Sequence, residues 1–180
     1  MTTIPPLEPG MREFGTPREN EEYRDGGCGI IIDPKTQMYA VYRLPNGLTG
    51  FFSGGVEADE DMKEGVLREV REESGLYDFS EVEFVARARA HYHNRLKNVN
   101  RIADASCFVI KLGSRATQPH AREAHETFEL DWVAAAEILK NWDYHNATEG
   151  RGHWTWFLQQ AVARAKERGW DTTTNLADLK

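Results

Sequence analysis

The sequence predicts an α/β fold in which a mixed β-sheet lies between helices. Three observations predict it. Short apolar runs of strand type alternate with stretches whose apolar residues recur at helical spacing. The chain has 180 residues, which suits one domain with a substantial core. No internal repeat and no low-complexity tract interrupts the series.

Residues 1–23 are polar and rich in Pro, Gly and charge, and read as an N-terminal arm. Gly29-Ile30-Ile31-Ile32 reads as a buried strand, Asp33-Pro34-Lys35-Thr36 as a turn, and 37–43 as the partner strand of a hairpin. Pro45-Asn46-Gly47 makes another turn, and Gly50-Phe51-Phe52 a short strand. Residues 61–73 read as a helix. Glu57, Asp59, Glu60 and Asp61 crowd its start, where acids complement the helix dipole. Met62, Val66 and Val70 form its apolar stripe, and Gly75 stands at the expected stop. Glu64 and Arg68 are an i, i+4 pair on it. Strands follow at 82–91, where Val85 breaks the alternation, and at 103–112. A polar loop spans 113–125, a short strand 128–133 and a short helix 134–142. In the last helix, 154–168, Trp154, Phe157, Leu158, Ala161, Val162 and Ala165 share one face and read as core. The resulting organisation is an arm (1–23), one domain (24–170) and a C-terminal tail (171–180).

Composition excludes several function classes. A net charge of −7 argues against non-specific binding to long nucleic acid, which leans on basic surface. It leaves room for a small anion held through a metal. No apolar run reaches the length of a membrane helix, and the N-terminus lacks the basic and apolar regions of a signal peptide. Cys28 and Cys107 lie in apolar strand-type segments and read as buried thiols, so a reducing cytoplasm is the expected location.

The most informative stretch is residues 54–76. Glu69, Glu72 and Glu73 stand at i, i+3 and i+4 of a helical pattern, which places the carboxylates near one another. Three crowded anions repel, and a divalent cation relieves that repulsion. Hard cations such as Mg²⁺ take oxygen ligands and share their shell with phosphate and water. Gly54, Glu60, Arg68, Glu69, Val70, Glu72, Glu73, Gly75 and Leu76 also fit a longer pattern. It reads Gly, five residues, Glu, seven residues, Arg-Glu-apolar-any-Glu-Glu-any-Gly-apolar, without gap or insertion.

That pattern resembles the Nudix box of the Nudix hydrolases. The resemblance implies an α/β/α sandwich and a pyrophosphohydrolase dependent on Mg²⁺ or Mn²⁺. It gives Glu69, Glu72 and Glu73 the positions of the metal-binding glutamates. Arg68, Glu60 and Gly75 take structural positions of the box. Gly54 and Gly55 let the preceding loop turn tightly and approach phosphate. Many members have proline before this glycine pair, and here Ser53 stands there. Relatives carry a further acid near a Trp-containing strand. Glu126 is the candidate, with Glu123 and Glu129 as competitors, so the general base stays open among Glu72, Glu73 and Glu126.

The segment 91–101 is basic, with Arg95, Lys97, Arg101 and two histidines but no acid. In the family fold it would lie near the cleft, where Arg95 and Lys97 would hold a distal phosphate and Tyr92 would stack on a base or sugar. His91 and His93 lack a third nearby ligand and do not read as a metal pair. The resemblance implies cleavage of a nucleoside diphosphate linked to a further group X. Tyr92 turns the choice toward a nucleoside tri- or dinucleoside polyphosphate. ADP-ribose or a sugar nucleotide, and a non-catalytic nucleotide-sensing module, are the alternatives. The expected partner is a small nucleotide, with no membrane involved, and a homodimer is left open.

Overall fold

The computed structural model describes residues 4–94, 97–119, 127–148 and 150–180. Its organising strand is β2 (Glu22–Asp33), which pairs in parallel with β7 (Val99–Leu112) along one edge. The other edge is shared. Gly26–Gly29 pairs antiparallel with β5 (Phe52–Gly55), and Ile31–Asp33 with β3 (Met38–Arg43). Beyond β7 comes β6 (Phe79–Asn94), antiparallel, and then β1 (Arg12–Phe14), parallel to β6. β4 (Thr49–Gly50) and β8 (Glu129–Val133) both pair with β3. The sheet is mixed, and its helices lie on both faces.

α1 (Met62–Ser74) covers one face, and α2 (Ala135–Tyr144) and α3 (Arg151–Glu167) cover the other. The run Ile30-Ile31-Ile32 shows why it is continuously apolar. Ile31 packs with Val66, Leu67 and Val70 of α1, whereas Ile30 and Ile32 pack with Ile138, Phe157 and Leu158. Asp61 caps α1 by accepting the amides of Lys63 and Glu64 at 3.0 and 3.2 Å, and Gly75 ends it at φ 76°. α1 lies unusually close to β2. A Cβ on Gly27 would come 2.5 Å from Val66 Cγ2, and one on Gly29 2.6 Å from Val70 Cγ2.

The long strands outrun their apolar cores. β2 begins at Glu22 and β6 runs over 79–94, because their polar ends are held by charge pairs rather than by burial of apolar groups. Arg87 meets Asp25 at 3.1 Å, and Arg89 grips Asp104 at 2.7 and 2.8 Å with both side chains buried. Val85 is the extra residue where Phe84 and Ala86 oppose Phe108 and Cys107, so a β-bulge accounts for the broken alternation.

Both ends of the chain pack on this body. Phe14 stacks 5.7 Å from Trp156, and His91 is wedged between Glu21 (2.9 Å) and Glu13 (3.1 Å). Tyr39 donates to Asp171 at 2.6 Å, and Leu179 of a short 3-10 helix (Leu176–Leu179) is fully buried. Cys28 and Cys107 are free thiols facing each other across β2 and β7, and burial pushes the Cys107 thiol up. Among the described residues no helix is long and apolar enough to cross a membrane.

Candidate active site

Three of the four glutamates of the box pattern meet one arginine. Arg68 Nε and Nη2 donate to the two oxygens of Glu60 at 2.9 and 3.0 Å. Its Nη1 donates to Glu69 Oε1 at 2.8 Å and to Glu72 Oε2 at 3.2 Å, and Nη2 reaches the Gly55 carbonyl at 3.3 Å. These bonds, with Glu60 first, hold the guanidinium well above its usual pKa. Arg68 and the amide of Glu57 hold the Glu60 carboxyl below the usual carboxylate range. The fourth glutamate, Glu73, accepts the backbone amide of Ser53 at 3.1 Å. Its charge, after burial, raises the Tyr42 phenol. The spacing inside α1 gathers Glu69, Glu72 and Glu73 toward β5, and Arg68 ties Glu60, in the turn between β5 and α1, to the same group.

Glu69 reaches β5 because Gly54 has no side chain. A Cβ there would overlap the Glu69 carboxyl. The donor set is all carboxylate oxygen, which fits a hard divalent cation such as Mg²⁺ or Mn²⁺. Among the described residues no three acid, His or Cys side chains are grouped closely enough to hold an ion as they stand. The reason is visible. Arg68 bridges Glu69 and Glu72 as their counter-ion, and the Ser53 amide holds Glu73 toward the strand. An ion would take over the neutralisation that Arg68 supplies, with a change of carboxylate rotamers.

The opposite side of β5 opens into a cavity of about 320 Å³. Its walls come from β2 (Arg24 to Gly27), β5 (Ser53 to Gly55), β6 (Ala90, Tyr92), β7 (Ala103 to Ala105) and the start of α3 (Gly150, His153, Trp154). Small residues on four strands make the hollow, and Trp154 and Tyr92 supply aromatic side chains. His153 is 5% exposed, its Nδ1 has no hydrogen-bond partner among the described residues, and burial pushes its pKa down to about 4. It is therefore neutral near pH 7. Burial raises the Tyr92 phenol, while the charges of Arg101 and Arg24 pull it down.

The structure thus brings together Glu60, Arg68, Glu69, Glu72, Glu73, Gly54 and Gly55, and it puts Tyr92 in the wall of the cavity that the two glycines also line. Lys97 stands exposed in the turn after β6, its amide bonded to Asn94, away from the cavity lining. Glu129 is exposed on β8. Glu126, Glu123 and Arg95 lie outside the described residues. Sequence reasoning missed Arg24, which reads as arm-proximal polar sequence, and His153. It placed Trp154 in the core. Trp154 does pack near Phe51 and Phe157, yet it also lines the cavity. The available signal was His153 itself. It stands four residues before Phe157 on the apolar stripe, where a polar ring needs a reason.

The fold and the acidic helix together define the class of the Nudix pyrophosphohydrolases. The chain belongs to that family, since the NUDIX domain model matches residues 22–170. A solved structure described as an ADP compounds hydrolase is similar at 16% identity, covering 84% of this chain and 77% of that one with a TM-score of 0.55. The NUDIX domain of Shewanella oneidensis NrtR, complexed with ADP ribose, is 15% identical. It covers 70% of this chain and 82% of that one, with a TM-score of 0.51. At these identities the likeness is one of fold. No curated protein matches the chain.

Proposed function

We propose that this enzyme hydrolyses the pyrophosphate bond of a single-nucleoside substrate, a nucleoside diphosphate linked to a further group. The observation that carries the reading is the arrangement around β5, with four glutamates on one side of the strand and a nucleoside-sized cavity on the other. Glu69, Glu72 and Glu73 would hold Mg²⁺ or Mn²⁺. When bound, such an ion neutralises the diphosphate oxygens and acidifies water.

The chain's own residues do the rest. The side-chain-free Gly54 and Gly55 let the diphosphate lie close against β5. The Ser53 amide keeps Glu73 beside the strand, and Arg68 keeps Glu69 and Glu72 beside each other until an ion takes its place. A carboxylate takes the proton of the attacking water, and Glu72 and Glu73 are the described candidates, with Glu126 the third. Trp154 and Tyr92 offer their faces to the base and sugar. A cavity of about 320 Å³ is at the small end for ligand pockets and suits one nucleoside. A second nucleoside would extend outside it. A nucleoside triphosphate is therefore the first choice of substrate. ADP-ribose, bound by the NrtR neighbour, is the competitor. The two free buried cysteines support a cytoplasmic location.

The test is a nucleotide panel with Mg²⁺ or Mn²⁺ in ¹⁸O-labelled water, with both products identified by mass. The expected result is a nucleoside phosphate plus the remaining phosphorylated group, one of them labelled. No turnover of any substrate by folded protein would remove the reading.

A further inference from the structure

We infer that Arg24 is the residue that holds a substrate phosphate on the cavity side of β5. The inference rests on the cavity being the nucleotide's seat. Arg24 opens the β2 segment that lines the cavity, and its guanidinium lies against Gly55, where a Cβ would come 2.8 Å from Nη2. Strand alternation turns Gly54 toward Glu69 and Gly55 toward Arg24. The acids and this cation therefore flank the same dipeptide from opposite faces of the sheet. A diphosphate crossing the end of β5 would meet both.

Charge accounting in the cavity wall singles Arg24 out. Asp25 and Asp104, one step out of phase with it, are already neutralised by Arg87 and Arg89. Arg101, across the strand pair, is held by Glu22 at 2.8 Å. His153 is uncharged near pH 7. The Arg24 side chain makes no hydrogen bond or ion pair with any described residue. The cavity thus carries one uncompensated positive charge in a chain of net charge −7, and an anion is the ligand that matches it. A planar guanidinium beside a bare glycine backbone also suits two parallel bonds to one phosphate.

The experiment compares the full chain with Arg24→Ala and Arg24→Lys, and with Lys140→Ala, a surface cation on α2, as a control. Binding of ADP, AMP and adenosine is followed by calorimetry in low-salt buffer without metal, and hydrolysis is followed separately. Arg24→Ala is expected to weaken ADP and AMP binding by about tenfold to a hundredfold. It should leave adenosine binding unchanged, raise KM, and keep the thermal midpoint, since the side chain is exposed. Arg24→Lys should restore part of the loss, and Lys140→Ala should change nothing by more than about twofold. Equal ADP binding by Arg24→Ala and the parent overturns the inference, as does an equal loss for adenosine or no ADP binding by the parent. If the parent hydrolyses nucleotides and Arg24→Ala matches its KM, only this inference falls. If ADP binding depends on Arg24 but nothing is hydrolysed, only the hydrolase reading falls.

Discussion

The two sides of β5 were assembled in different ways. The acidic side comes from one continuous stretch, in which α1 and the turn before it deliver Glu60, Arg68, Glu69, Glu72 and Glu73 at fixed helical spacing. The cavity side comes from four strands and a helix as far apart in the chain as Arg24 and Trp154. The first is a local motif that carries its geometry in its spacing. The second exists only because β2 and β7 run in parallel and α3 folds back over them. In the proposed function the chemistry of the cleavage is thus written locally and recognition non-locally, and the two halves should respond differently to mutation.

The largest expected effect is on the acidic side. Glu73→Gln should lower kcat by roughly 10²–10⁴-fold, with circular dichroism and nucleotide binding in the cavity preserved. Steady-state kinetics on the purified variant checks this, and near-normal turnover would remove Glu73 from the site. Gly54→Ala is the next break. Its Cβ would displace the Glu69 carboxyl, and a misplacement of that size is expected to cost about 10²-fold in kcat. Metal-free binding of adenosine, which carries no phosphate to lie over Gly54, should stay within about twofold, because the added methyl points toward Glu69. Equal losses in both would mean that the two sides are one unit.

The cavity side is sharpened by pH. In the folded chain His153 has a pKa of about 4, below the ordinary 6.5. Between these values the unfolded chain takes up a proton that the folded chain resists. Its contribution to stability is therefore complete above pH 6.5 and is lost as pH falls toward 4. The loss should reach about 2–3 kcal/mol, read from urea midpoints at pH 7.5 and 4.5. His153→Phe should flatten that part of the profile, and an unchanged profile would put the proton elsewhere. The smallest effect is expected from Trp154→Ala, which should raise KM by about tenfold through lost stacking while kcat moves little.

The sequence made the fold class legible because a buried apolar run survives in Ile30–Ile32 and a helical stripe in Met62–Val70. It made the acidic side legible because that side is a spacing. It hid the strand ends, since Asp25, Arg87, Arg89 and Asp104 are buried or half-buried as ion pairs and look like loop residues one at a time. It hid the cavity for the same reason. Arg24 and His153 are ordinary residues until parallel pairing and α3 place them on either side of a hollow. The packing of residues 12–14 against β6 and Trp156 was equally silent, because a three-residue strand has no period to detect.

The most direct test is diffraction from crystals grown with Mn²⁺ and a non-hydrolysable ADP analogue. The account predicts an anomalous peak among Glu69, Glu72 and Glu73. It also predicts phosphates over Gly54 and Gly55 and the base against Trp154. An ion bound away from α1, or a nucleotide seated with the cavity left vacant, would contradict it.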